Sequence, residues 1–119
     1  MATIDPADVG AVAAVALTTG DHDGRSYRLS GPESLLPHER VAILADVLGR
    51  DLRFEGQPDD EARAEMAATT PPEYVDAFFR FFADGEVDES SVLSTVQSVT
   101  DRPPGTFRQW AITHADAFR

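Results

Sequence analysis

The 119-residue chain has no cysteine, no lysine and no asparagine, and the first two absences each remove a block of chemistry. Without cysteine there is no thiolate nucleophile, no disulfide and no sulfur-ligated zinc. Without lysine there is no Schiff base, no P-loop lysine and no tyrosine–lysine proton relay. The 10 cationic side chains are all arginine, against 21 aspartates and glutamates, and the formal net charge is -11. A field of that sign repels phosphate backbones and anionic lipid, so nucleic acid and membrane surfaces are not expected partners. Long hydrophobic runs are also missing. The apolar stretch from Val9 to Leu17 is about half the ~20 residues of a membrane span, follows Asp5 and Asp8, and has no cation before Arg25. These are the wrong flanks for a signal peptide, and a cytoplasmic protein is expected.

The remainder has the composition of a folding domain, 42% hydrophobic and 26% charged. Asp5-Pro6-Ala7-Asp8 is a helix start: Asp5 caps, Pro6 suits the first helical position, and Asp8 faces the positive dipole end. That helix runs to about Thr18, with Gly10, Ala13, Ala14 and Leu17 as a small-residue face suited to close packing. Tyr27 and Leu29 alternate with polar neighbours, which predicts a strand from Arg25 to Ser30. A helix from Pro37 to Leu48 follows, with Val41, Leu44, Ala45 and Leu48 as its stripe and Gly49 just past its end. Leu52 and Phe54 predict a second strand from Asp51 to Glu55. Strand, helix, strand implies a parallel pair with a right-handed crossover. Beyond Pro58 only helices are expected: Asp59 to Ala68, Glu73 to Ala83, one capped by Asp88 and ending near Thr100, and a last one capped by Thr106 and running to the carboxyl end. The expected fold class is α/β and predominantly helical, with two short parallel strands, a crossover helix and a helical C-terminal subdomain. No repeat or linker divides it, so residues 1–119 read as one module.

Two aromatic groups are candidates for a site. Tyr74, Val75, Phe78, Phe79, Phe81 and Phe82 load one helix on nearly all sides, which suits a core helix, a dimer seam or the wall of an apolar pocket. Phe107, Trp110, His114 and Phe118 form a stripe on the last helix, suited to docking. Tyr74, Phe78, Phe81, Phe82 and Trp110 are the substrate-pocket candidates. His22, His38 and His114 share no metal-ligand spacing, and the turn Asp21-His22-Asp23-Gly24 fails the calcium-loop register at Thr19 and Ser30. The acidic run from Asp84 to Glu89 reads as solvated caps. Neither G-x-S-x-G nor G-x-G-x-x-G occurs. No catalytic, metal or cofactor-binding residue is assigned.

Asp5-Pro6-Ala7-Asp8-Val9, Tyr27-Arg28-Leu29-Ser30-Gly31-Pro32-Glu33, Leu48-Gly49-Arg50 and Arg102-Pro103-Pro104-Gly105-Thr106-Phe107, in that order, resemble the C-terminal part of NmrA-like proteins. These are atypical short-chain dehydrogenase/reductases that bind NAD(P). The resemblance covers nearly the whole chain. It implies that the glycine-rich dinucleotide fingerprint and any catalytic tyrosine and lysine belong to an N-terminal Rossmann half, which this sequence lacks. It also implies that this region finishes a sheet edge and walls the substrate side of the cleft. Asp101 replaces a usual glycine, which implies a left-handed helix end at some cost. Pro37 falls where relatives often place a Ser or Thr cap.

The expected function is therefore a free-standing or truncated C-terminal module of an NmrA-like NAD(P)-dependent oxidoreductase, unable alone to bind dinucleotide or transfer hydride. Its partner would be a separate Rossmann chain. The alternative is a homodimeric binding module for an apolar small molecule or partner, and a third is a remnant without retained function. Gly31-Pro32-Glu33-Ser34-Leu35 also resembles the G-x-D-S-L attachment site of acyl carrier proteins, with Ser34 as the attachment residue. Glu33 in place of Asp, Pro37 so close behind and the long helical tail weigh against that reading.

Overall fold

A computed structural model describes all 119 residues, which divide into two compact units, residues 1–54 with 90–119 and residues 55–89. In the first unit α1 spans Pro6–Thr18, α2 Pro37–Leu48, α5 Thr95–Thr100 and α6 Phe107–Thr113. In the second, α3 spans Asp59–Ala67 and α4 Pro72–Phe78, and α4 runs on into a π-helical turn over Phe79–Ala83. Short 3-10 turns cover Gly20–His22 and Ala115–Phe118.

The fold is all-helical, and the two parallel strands expected over residues 25–30 and 51–55 are not formed. The α/β class is thereby corrected to all-α. Sidedness survives only in part of the first segment, where Tyr27 and Leu29 are half-buried about exposed Arg28 but Ser30 is buried beside them; residues 51–55 are exposed throughout. Alternation reports which side chains face inward, but a strand also needs a paired neighbour, and two short strands alone do not hold together. Here the start of the chain crosses the end of the first segment instead. Gly31 N–H donates to the Ala2 carbonyl at 3.0 Å and Leu35 N–H to the Met1 carbonyl at 3.0 Å. This crossing requires glycine, because a Cβ on Gly31 would lie 1.9 Å from the Thr3 carbonyl oxygen.

The helix starts follow their caps. The Asp5 side chain accepts from Ala7 N–H at 2.9 Å, and Thr106 Oγ1 accepts from Gln109 N–H while Gln109 Oε1 accepts from Thr106 N–H, a complete capping box. At α2 only the reverse half of such a box exists, since Leu36 offers no side-chain acceptor and Glu39 Oε2 takes the Leu36 N–H at 2.6 Å. Gly49 and Asp101 end α2 and α5 in the left-handed region, at φ 63° and 57°. The helix expected from Asp88 is cut to Thr95–Thr100. Ser90, Ser91 and Val92 are weak helix formers, and buried Ser30 captures the segment by accepting from Leu93 N–H at 2.7 Å.

The core of the first unit is built from small side chains: Ala2, Val12, Val96, Ala111 and Ala115. One expectation about α1 is reversed. Val12 faces the core, whereas Gly10, Ala13, Ala14 and Leu17, the face expected to pack, are exposed. α2 and α6 pack together, tied by Arg108 to Asp46 at 2.5 Å and by Arg50 to the Phe118 carbonyl at 2.9 Å. In the second unit Val75 and Phe79 are the buried residues, and the Arg63 guanidinium lies 4.5 Å over the Phe79 ring while also pairing with Asp76.

Candidate functional site: an aromatic groove in the first unit

Two helix starts, far apart in sequence, face each other in the first unit. Residues 3–6, leading into α1, and residues 105–107, leading into α6, line a half-open groove of about 250 Å³ together with Trp110. The walls are mainly apolar, from Ile4, Pro6, Phe107 and Trp110. The Trp110 ring is fixed by its own helix. It stacks on Phe107 at 5.7 Å between centroids and on His114 at 4.8 Å, and meets Phe118 edge-on at 6.2 Å. His114 is fixed in turn, with Nδ1 2.9 Å from the Trp110 carbonyl oxygen. Rings locked this way present a rigid apolar surface with little rotamer entropy left to lose.

Asp8 ties the two helix starts together, and Glu33 anchors the start of α6 to the segment after Ser30. Asp8 Oδ2 accepts from Gly105 N–H at 2.8 Å and Glu33 Oε1 accepts from Phe107 N–H at 3.1 Å, both part-buried. The amides of Gly105 and Phe107 are thus taken by carboxylates, and those of Thr106 and Gln109 by the capping box. Acids also sit in the first turn of α1 (Asp8), α2 (Glu39), α3 (Asp59, Asp60, Glu61) and α4 (Glu73). An anion approaching these helix ends meets like charge instead of free N–H donors. The groove suits a small uncharged ring.

Of the five pocket candidates, Trp110 lines this groove. Tyr74, Phe78, Phe81 and Phe82 belong to the second unit, where Phe81 is half-buried and the others are exposed at 65% for Tyr74, 43% for Phe78 and 51% for Phe82. Phe78 packs against Phe82 at 5.1 Å and against buried Phe79 at 5.7 Å, and Arg80 lies 5.3 Å over Phe81. The π-helical turn, closed by Asp84 N–H to the Phe79 carbonyl at 2.9 Å, adds a residue to the turn and shifts the ring positions around the helix. The sequence reading missed Ile4, Asp8 and Glu33 as site residues and took Phe107 only as part of a docking stripe. Both capping motifs were visible, but nothing in the sequence says that two helix starts about a hundred residues apart share one groove. Ser34 is exposed near the chain start, its Oγ 3.4 Å from the Met1 amino group. His22 Nδ1 lies 2.6 Å from the Tyr27 hydroxyl, and the His38 ring is 6.4 Å from Phe54.

No family model matches the chain. It is 44% identical over 119 residues to (4-alkanoyl-5-oxo-2,5-dihydrofuran-3-yl)methyl phosphate reductase of Streptomyces griseus, a match over 99% of this chain and 42% of that protein. It is 37% identical over 117 residues to NAD(P)H azoreductase of Xenophilus azovorans, over 97% of this chain and 41% of that one. Among solved structures, an NADPH-dependent quinone oxidoreductase from Escherichia coli has a TM-score of 0.72 over 98% of this chain and 42% of its own, at 19% identity, which is a likeness of fold. The chain thus spans about two fifths of the length of the reductases it resembles.

Proposed function

We propose that the chain is the C-terminal, substrate-side module of an NmrA-like NAD(P)H-dependent reductase and works with a dinucleotide-binding portion carried elsewhere. The observation that carries this reading is the 44% identity running through 99% of the chain while covering only 42% of the Streptomyces griseus reductase. Two relatives named for reductions, and a fold shared with a third, support oxidoreductase chemistry for the assembled protein. The residues present do not fit a dinucleotide. There is no glycine-rich strand-to-helix turn, the amides of Gly105 and Phe107 are occupied by Asp8 and Glu33, those of Thr106 and Gln109 by the capping box, and acids guard the other helix starts named above. What the chain contributes is the groove at Trp110, an apolar wall of a size for a compact ring such as a quinone or a lactone.

The test is recombination. The purified chain is mixed with the rest of the Streptomyces griseus reductase, expressed as a separate polypeptide, and NADPH oxidation is followed with a quinone acceptor. Neither part alone turns over, the mixture does, and Trp110→Ala raises KM about tenfold, equivalent to about 1.4 kcal/mol of lost aromatic contact. Turnover by the 119-residue chain alone would remove the proposed division of labour.

A further inference from the structure

Among the side chains lining the groove at Trp110, Asp5 alone is charged, and its two oxygens are used differently. Oδ1 accepts from Ala7 N–H at 2.9 Å and so caps α1. Oδ2 lies beside the opposite wall, 3.4 Å from the position a Cβ on Gly105 would occupy. The backbone donors around it are already matched. Asp8 Oδ2 takes Gly105 N–H, Gln109 Oε1 takes Thr106 N–H, Glu33 Oε1 takes Phe107 N–H and Thr106 Oγ1 takes Gln109 N–H. Asp5 Oδ2 therefore receives no donor from these amides. Nor is it sealed away, since no carboxylate oxygen of the chain is both buried and unpaired. It remains open to whatever enters the groove.

We infer that Asp5 is the specificity-determining residue of the groove and selects a compact ring bearing an O–H donor, an inference that rests on the proposed function. A carboxylate only accepts hydrogen bonds, so its preference is set by what the ligand offers. A ring hydroxyl gives it a charge-assisted bond, the stronger kind. A ring carbonyl at the same place sets acceptor against acceptor and strips the carboxylate of water without return. Phe107 and Trp110 supply apolar surface for the faces of the ring, and Asp5 reads its edge. In a quinone couple the hydroquinone is the member that carries O–H. The groove therefore holds the reduced ring more tightly than the oxidised one, and this differential affinity favours reduction of the bound quinone. An anionic ring meets like charge at Asp5 and is disfavoured.

The experiment is calorimetric titration of the chain with hydroquinone, its dimethyl ether and 1,4-benzoquinone, which present one ring with the donor free, capped and absent. Lacking cysteine and lysine, the chain offers quinones no thiol or side-chain amine to add to. Wild type is compared with Asp5→Asn and Gly105→Ala, and the melting of each is recorded. Asparagine caps a helix as well as aspartate, so Asp5→Asn keeps the bond to Ala7 and turns an amide toward the groove in place of Oδ2. Gly105→Ala keeps the carboxylate and sets a methyl group 3.4 Å from Oδ2. The expected result is unchanged melting and about tenfold tighter binding of hydroquinone than of either other ring by wild type. In Asp5→Asn that preference falls below about twofold with benzoquinone still bound, and in Gly105→Ala it is reduced. If Asp5→Asn melts lower than wild type, the comparison with Gly105→Ala decides alone. Equal wild-type affinity for hydroquinone and its dimethyl ether, or a preference that the variants retain, overturns the role of Asp5 and leaves the proposed function standing. A wild-type chain that binds none of the three rings overturns both.

Discussion

Gly31 and Asp101 show backbone demands met in opposite ways. At Gly31 the chain start passes so near that a Cβ would sit 1.9 Å from the Thr3 carbonyl oxygen, and that carbonyl is backbone with nowhere to go. Gly31→Ala is expected to destabilise the first unit by about 1–3 kcal/mol in urea unfolding, the usual cost of overpacking. Asp101 holds φ 57°, a conformation that costs an L-residue strain glycine does not feel. Asp101→Gly is expected to gain about 0.5 kcal/mol, less than the full strain because glycine also loosens the unfolded chain. A lower urea midpoint for this variant would contradict the assigned strain. The left-handed end at Asp101 was legible in the sequence, through the motif that usually carries glycine there. The crossing at Gly31 was not, since it depends on residues about thirty positions earlier.

Elements were legible where a local cap decides them. Asp5, Pro6, Thr106 and the prolines set the starts of α1, α2, α4 and α6 almost to the residue and Gly49 the end of α2, but α6 stops at Thr113 short of the C-terminus expected for it and α4 gives way to a π-helical turn after Phe78. They failed where a distant partner decides. Residues 25–30 alternate as a strand does but find no ladder, and Ser30 draws Leu93 out of the helix expected there. The face of α1 failed for a related reason: Gly10, Ala13 and Ala14 suit close packing, but which side of an apolar helix turns inward was fixed by Asp8 bonding Gly105. The capping box of α6 gives a test at this scale. Thr106→Ala removes the acceptor for Gln109 N–H and is expected to cost about 1 kcal/mol. Because α6 is only one turn longer than its cap, near-UV circular dichroism of Trp110 should weaken in parallel. A destabilised protein with an unchanged Trp110 signal would show that the cap does not position the groove.

At the scale of the whole chain, likeness to reductases was legible in the sequence and the groove was not. The order of short motifs pointed to the C-terminal side of a reductase family, and the relatives are larger reductases matched over about two fifths of their length. Trp110, which lines the groove, was singled out because aromatic stripes are visible in sequence; the facing wall at residues 3–6 was not, because it comes from the other end of the chain. The central claim is a division of labour in which this chain supplies an apolar wall and no dinucleotide site. Isothermal titration of the purified chain with NADPH and, separately, with a small uncharged quinone tests it most directly. The account predicts saturable quinone binding that Trp110→Ala weakens about tenfold, and no heat of binding with NADPH. Micromolar NADPH binding that survives Trp110→Ala, with no response to the quinone, would contradict it.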